Sequence, residues 1–481
     1  MKLSQLAIDR VVGVFDGLDL GDPRRTARLR SVVQDLARDP FQSLPWALGN
    51  GSKLQGAYRL VNNPRVTFEK LMEHQFAETA RRAGQAGSVL VVHDTTDCAF
   101  PDIDPEELGY LQTGKAGFYA HFSLVLDANE WRRPIGVIAA ETIHREKRSK
   151  RGRGRKAPGG ETHGWADREA LRWVRGMEAA GSRLKNCQNV IHLADREGDS
   201  YELMDGLVRA AQRFVIRVRV RARRGRSPGR AGEWSTVEQV AERAAGVVER
   251  EVPLTRRRPI TAPQSSRLHP PRKMRTARLR FSAGRVEIPR PSYLKAPVST
   301  TLSLNLVRVF EVDVPAGEPP VEWLLYTTEP VDTAEQVETV VDAYRTRWTI
   351  EEFNAALKTG CAFEQREFES RHALLAMLAI SIPIACEVLW LRSRARSTPD
   401  APATEVLSPK RLELLRVMGT NRLPAKNPTV QDALLAVAGI VGHMKNNGAP
   451  GWKILSRGML KLLSFEAGWD ARIAFEKLEK M

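Results

Sequence analysis

The sequence predicts an α/β protein, a sheet-based middle carrying a β-rich insertion between two helical ends. Three observations predict it. Residues 1–70 read as short helices joined by polar turns. From 88 to 220, short β-branched runs alternate with stretches of helical periodicity. Beyond 371 the chain returns to apolar residues at helical spacing. A chain of 481 residues has material for two to four domains and a large core.

Taken in order, LGDPRRTARL (20–29) opens a helix, with Asp22 as N-cap and Pro23 at the first helical position. Arg24, Arg25 and Arg28 fall in its first turns, where positive charge opposes the helix dipole. Local stability does not explain them, and an anion contact does. SVLVVHD (88–94), HFSLVLD (121–127) and PIGVIAAETI (134–143) read as three strands, the first ending on Asp94. A helix is expected over 165–180, then a strand over 189–195 ending on Asp195, a helix near 199–212 and a fifth strand over 213–220. The stretch 222–300 is rich in Pro and Arg and shows only scattered strand signals, followed by strands at 298–312 and 321–328. Thr333 and Gln336 form a capping box that opens one long helix, expected to run to Thr359 before Gly360. Residues 373–391 are apolar over a length that could span a bilayer, but the internal Pro383 and Glu387 favour a buried helix. Helices over 430–444 and 452–469 complete the chain.

The net charge of +17 is concentrated rather than spread. Residues 145–156, 213–230 and 255–285 carry 8, 8 and 10 positive charges against a single acid, leaving the remainder net acidic. Such cationic segments point to a polyanion, because neutralising phosphates releases counterions. The four cysteines, Cys98, Cys187, Cys361 and Cys386, form no C-x-x-C pair, which argues against a disulfide framework or zinc ribbon and fits a reducing, cytoplasmic setting. The N-terminus does not read as a secretory signal.

Asp94 and Asp195 stand at the expected ends of two strands, where functional groups of sheet-based folds collect. Neighbouring carboxylates repel unless a cation joins them, and oxygen-rich sites suit magnesium or manganese. The expected long helix supplies a third acid. At about 100° per residue, Tyr344, Arg347, Glu351 and Lys358 fall within about 60° of arc on one face. Acid for metal, cations for phosphate and an aromatic for a base are what phosphodiester chemistry requires. Asp on the first strand, Asp on the fourth and Glu on a helix after the fifth match a ribonuclease-H-like sheet with a D-D-E triad. His93 and His192 lie close to the two aspartates without metal-ligand spacing, and His93 reads best as a hydrogen-bonded core imidazole. There is no G-x-S-x-G and no phosphate-binding P-loop sequence.

At these residues the chain resembles the bacterial cut-and-paste DDE transposases of the Tn-five kind, in the IS-four family of insertion sequences. The likeness runs through LGDPRRTARL, GSKLQGAYRLVNNP (51–64), DTT (94–96), DRE (195–197), WLLYTTEPV (323–331) and YRTRWTIEEFNAALKTG (344–360). It implies that Asp94, Asp195 and Glu351 hold two Mg²⁺ ions, for which Mn²⁺ substitutes. It further implies that Tyr344, Arg347 and Lys358 contact phosphates, that a flipped base stacks on Trp323, and that Arg24, Arg25, Arg28 and Arg59 read the element's end. The domains implied are a helical DNA-end-binding domain (1–70), a ribonuclease-H-like catalytic domain (71–370, insertion about 222–330) and a helical dimerisation domain (371–481). The partners implied are transposon-end and target DNA and a second copy of the chain, with no membrane, in the bacterial cytoplasm at the nucleoid. The family's second motif commonly reads D-R-E-A-D; here it is Asp195-Arg196-Glu197-Gly198-Asp199, a change expected to loosen the turn.

Two other functions share these features: a DNA-binding regulator that no longer cuts, and a metal-dependent nuclease without strand transfer. The intact acids speak against the first, and the aromatic and basic residues around Glu351 against the second.

Overall fold

The computed structural model describes residues 5–49, 51–129, 133–146, 171–229, 234–254, 257, 270–294, 297–418, 423–444 and 450–479. The chain divides into two compact units, one of residues 1–87, 95–169 and 349–481, the other of residues 88–94 and 170–348. These bounds differ from the division at 70 and 370 expected from the sequence. Strand β1 (Ser88–Ala99) contributes to both units.

The first unit opens with α1 (Gln5–Gly13), α2 (Pro23–Arg38), α3 (Leu44–Leu48), α4 (Gly51–Val61) and α5 (Phe68–Ala86). Asp22 caps α2 as expected, its side chain accepting the Arg24 N–H at 2.8 Å. Leu29, Val32, Val33 and Leu36 then fall on one buried face. The antiparallel pair β2 (Gly117–Asp127) and β3 (Pro134–Ile143) follows.

The apolar segment at 373–391 lies within a helix, Arg371–Ser397, that is long and apolar enough to cross a membrane yet is mostly buried in the unit. Pro383 sits inside it and has no N–H to offer the carbonyl one turn back. That carbonyl, on Ala379, instead accepts the buried Gln75 side-chain amide of α5 at 2.8 Å. Glu387 makes a bidentate pair with Arg10 of α1 at 2.9 and 2.7 Å. Helices Val430–Gly439 and Trp452–Leu478 pack where Gly458 meets Val437; a Cβ at 458 would sit 2.2 Å from the Val437 carbonyl oxygen.

In the second unit the strand order is β1-β4-β5-β11-β10-β9-β8. The strands are β4 (Asn189–Ala194), β5 (Arg213–Arg217), β8 (Gly246–Leu254), β9 (Arg275–Pro289), β10 (Thr301–Val312) and β11 (Glu322–Thr327). A small ladder of β6 (Arg224–Gly225) and β7 (Ser235–Thr236) is joined to β9 by the Arg226↔Glu287 bridge. β1, β4 and β5 are parallel and the rest antiparallel, so the insertion extends the sheet rather than forming a separate body. Trp173, Met177, Tyr201, Phe214, Ile216, Ile288, Leu304 and Tyr326 form its core.

Several bounds move. The helix expected over 165–180 is Arg172–Arg183, with 165–170 outside the described residues. The fifth strand stops at Arg217: the Val218 N–H still reaches the Leu324 carbonyl, but Asp199 takes the Arg219 and Val220 N–H groups. Strands β8 and β9 had no counterpart in the sequence reading, although β9 alternates buried Ala277, Leu279 and Phe281 with arginine.

Candidate active site

β1 and β4 pair in parallel from Ser88↔Asn189 to Val92↔Leu193. Asp94 and Asp195 each stand two residues beyond the last of these pairs, Asp94 within β1 and Asp195 directly after β4. The strand does not end at Asp94, as expected from the sequence, but continues to Ala99. Its β-branched Thr95 and Thr96 and buried Cys98 sustain an extended backbone, and Thr95 Oγ1 bonds His121 Nδ1 of β2 at 2.9 Å. Both aspartates are half-exposed. Their hard oxygens fit a divalent cation such as magnesium or manganese. Among the described residues, no group of three or more His, Cys, Asp or Glu side chains is already gathered for a metal.

Asp195 follows β4 directly and caps the 3₁₀ turn Arg196–Gly198 by accepting the Glu197 N–H at 2.8 Å. The glycine at 198 does not loosen this turn; it lets the turn close. A Cβ there would stand 2.7 Å from Ala194 Cβ. The next residue, buried Asp199, accepts the backbone N–H groups of Arg219 and Val220 at 2.6 and 3.1 Å and Arg223 Nη1 at 2.5 Å. The turn that carries Asp195 is thereby tied to the segment leaving β5.

That strand ends on Arg217, the residue of this cluster that sequence reasoning missed. Its guanidinium lies 5.9 Å from the Trp323 ring centroid, and Tyr344 meets the same indole edge-on at 5.5 Å. Arg347 approaches the other aromatic, 6.0 Å from the Tyr344 centroid. Trp323 is half-exposed rather than a core residue of the apolar run WLLY, so its ring is accessible. Burial raises the Tyr344 hydroxyl pKa and the charge of Asp195 adds to it, against Arg347 and Arg217, which lower it. Burial pulls the Arg217 pKa down, with Arg196 and Arg347 contributing. The one signal for Arg217 was the arginine on alternate positions of RFVIRVRV.

The single helix expected from Thr333 to Thr359 is broken. It begins as expected, with the Thr333–Gln336 capping box, but ends at Thr346. Buried Thr346 turns its hydroxyl back onto the Ala343 carbonyl at 2.6 Å, a local bond that competes with helix continuation. Helix Thr349–Ala355 follows, then a π-helical turn, Ala356–Gly360, closed by the Cys361 N–H onto the Ala356 carbonyl at 2.7 Å. Tyr344, Arg347, Glu351 and Lys358 therefore do not share the face of one continuous helix. Tyr344 and Arg347 belong to the second unit, Glu351 and Lys358 to the first.

Glu351 is half-exposed in the first turn of its helix, which is anchored by buried Ile350 and by Phe353 packing edge-on against Phe122 at 5.6 Å. Lys358, on the π turn, is engaged by Asp97 at 2.8 Å and Glu364 at 3.6 Å. Burial would lower its pKa, but the bond to Asp97 and the Glu364 charge outweigh this and hold the ammonium above its usual value.

In the N-terminal helices Arg24, Arg28 and Arg59 are exposed, as is Arg65 in the turn after α4. Arg25 also has a local task, since its guanidinium donates to the Leu20 carbonyl. Arg28 lies over Gly56 of α4, where a Cβ would come within 3.0 Å of the guanidinium.

The cationic windows read differently in the fold than in the sequence. Each arginine of β9 is paired: Arg275 with Glu311, Arg278 with Asp313, Arg280 with Glu249 and Arg285 with Asp332. In the window 213–230, Arg213, Arg221, Arg223 and Arg226 pair with Glu329, Glu322, Asp199 and Glu287. The partner acids lie outside the windows, so eight of these cationic charges are balanced in place. Most of 145–156 falls outside the described residues.

Residues 13–66 match the family described as transposase DNA-binding, which covers α2 to α4 and the exposed arginines. Residues 167–384 match the family described as transposase DDE domain, which covers Asp195, Trp323, Tyr344, Glu351 and Lys358. The chain is thus similar, over these two stretches, to the DNA-binding domain and the DDE domain of transposases.

Proposed function

We propose that the protein performs cut-and-paste transposition of the Tn-five kind, with Asp94, Asp195 and Glu351 as its metal ligands. The observation that carries this reading is the parallel register of β1 and β4, whose last pair, Val92↔Leu193, stands two residues before each of the two aspartates. When bound, two Mg²⁺ ions would supply an activated attacking oxygen and stabilise the leaving one in an in-line displacement. Arg347 and Lys358 neutralise phosphate oxygens, and Tyr344 hydrogen-bonds one. Trp323, held at its edge by Tyr344 and against Arg217, offers a stacking surface for a base taken out of the duplex. Arg24, Arg25, Arg28 and Arg59 contact the element's end, where phosphate contacts set register.

The reaction order is hydrolysis of one strand at the element end, attack of the freed 3′-OH on the opposite strand to form a hairpin, hairpin opening, and attack of the 3′-OH on target DNA. It proceeds in the bacterial cytoplasm, on the nucleoid. A homodimer is supported by the terminal helix, where Phe465, Trp469 and Ile473 recur every fourth residue and remain exposed. Such a stripe fits the same helix of a second copy.

The test incubates the protein with its element's terminal DNA and Mg²⁺ and looks for hairpin-ended product. Cleavage by Glu351→Ala at the parent rate would refute the assignment. Nicking without hairpins would favour a nuclease, and DNA binding without nicking a regulator.

A further inference from the structure

Beneath the two aspartates, on the opposite face of the sheet, lies a buried chain of hydrogen bonds that the proposed chemistry does not use. His93 Nε2 is 2.9 Å from His192 Nδ1, and His192 Nε2 is 3.2 Å from Gln212 Oε1. Both imidazoles are fully buried and stack at 5.2 Å between centroids. His93 immediately precedes Asp94 on β1, and His192 stands three residues before Asp195 on β4. The pairing Val91↔His192 places the two rings diagonally across the strands, one residue before the carboxylate on β1 and three before the one that follows β4.

The direction of this chain follows from its end. A Gln212 carbonyl oxygen only accepts, so His192 Nε2 carries the proton and His192 Nδ1 is an acceptor. His93 Nε2 must then donate. Burial keeps His192 a neutral imidazole by pushing its pKa down to about 4, which holds its Nδ1 as an acceptor.

Gln212 is delivered with care. Ala211, just before it, has a left-handed backbone with φ 52°, an uncommon conformation for a residue with a side chain. Gly181 makes room for the amide; a Cβ there would lie 3.0 Å from Gln212 Oε1. The Gln212 N–H is fixed on the Leu207 carbonyl at 2.8 Å.

We propose that Gln212, His192 and His93 are positioning residues that set the separation of Asp94 and Asp195, resting on the assignment of those two as metal ligands. Apolar side chains here would fill the space between β1 and β4 without a preferred distance. A directional bond between the strands specifies one. The need arises because two carboxylates on adjacent strands repel until a cation joins them.

The test measures Mn²⁺ binding to the protein without DNA, together with melting temperature and the Mn²⁺ dependence of end nicking. Replacing both rings, in His93→Leu/His192→Leu, removes donor and acceptor of the inter-strand bond together, so the melting temperature should fall less than in His192→Leu alone. The Mn²⁺ dissociation constant should rise about 10-fold, the low end for lost support of metal ligands. The Mn²⁺ concentration for half-maximal nicking should rise in parallel, more than the rate at saturating Mn²⁺ falls. His192→Asn, which presents an oxygen near the position of Nδ1, should bind Mn²⁺ more tightly than His192→Leu; a purely structural role would give no such rescue. A folded double variant with the parent's Mn²⁺ affinity overturns the proposal. If the double variant does not fold, half-buried Gln212→Leu decides: weakened Mn²⁺ binding supports the proposal and parental binding overturns it. Unchanged Mn²⁺ binding by Asp195→Ala would instead strike down the ligand assignment on which it rests.

Discussion

Lys358 donates to Asp97 at 2.8 Å. The lysine assigned to a DNA phosphate is therefore already engaged, and the acid that holds it stands three residues after Asp94 on the same strand. Burial would raise the Asp97 pKa, but the bond and charge of Lys358 outweigh it and hold the carboxyl below its usual range. The pair is lost only as pH falls through this lowered Asp97 value, or rises through the raised Lys358 value, so it is intact at neutral pH. On the proposed function, DNA would have to compete with Asp97 for the ammonium.

Asp97→Asn should therefore tighten binding of terminal DNA and steepen its salt dependence by about one counterion. Fluorescence anisotropy over a series of salt concentrations reads both quantities. An unchanged slope would mean that Lys358 meets no phosphate.

Gly198→Ala should destabilise the second unit by about 1–3 kcal/mol, the range for overpacking a closed site. The clash is with one methyl group, Ala194 Cβ. Ala194→Gly in the same chain should recover part of the loss, and thermal melts of the single and double variants measure it. Full stability of Gly198→Ala alone would show that the turn has slack.

Gln75→Leu should cost about 1–3 kcal/mol by leaving the buried Ala379 carbonyl without a partner. Pro383→Ala supplies a backbone N–H one turn on and should rescue Gln75→Leu while changing the parent little. A double-mutant cycle in urea gives the coupling. Additive effects would show that the amide and the proline are independent.

Asp199→Ala should be the most damaging of these changes, about 3–5 kcal/mol, because it leaves half-buried Arg223 and two backbone N–H groups without their acceptor. Arg223→Leu should cost less, since the carboxylate keeps both N–H donors. Urea denaturation ranks the two, and the reverse order would place the weight on the guanidinium.

What was legible in the sequence was local. The Asp22 cap and the Thr333–Gln336 box depend on residues within one turn, and both stand as expected. Asp94 and Asp195 were legible because each adjoins a β-branched apolar run. The helix break at Thr346 was not, since it turns on whether one hydroxyl faces its own backbone or solvent. Arg217 acquires its place from Trp323 and Tyr344, and Lys358 from Asp97, partners far away in the chain. Strand β9 was hidden by its own charge. Its period of two is present, but arginine at the outward positions reads as a solvated run until Glu249, Glu311 and Asp313 are seen beside it.

Those pairs also carry instructions for assembly. Across β8 and β9, Glu249 faces Arg280 and Glu251 faces Arg278. Sliding β9 by two residues keeps every apolar side chain on its proper face, so hydrophobic burial alone is nearly blind to the error. The charges are not blind: a shift in either direction leaves one glutamate opposite a serine or a threonine. The arginines of the insertion serve as an address label, telling a long edge strand where along its neighbour to stop.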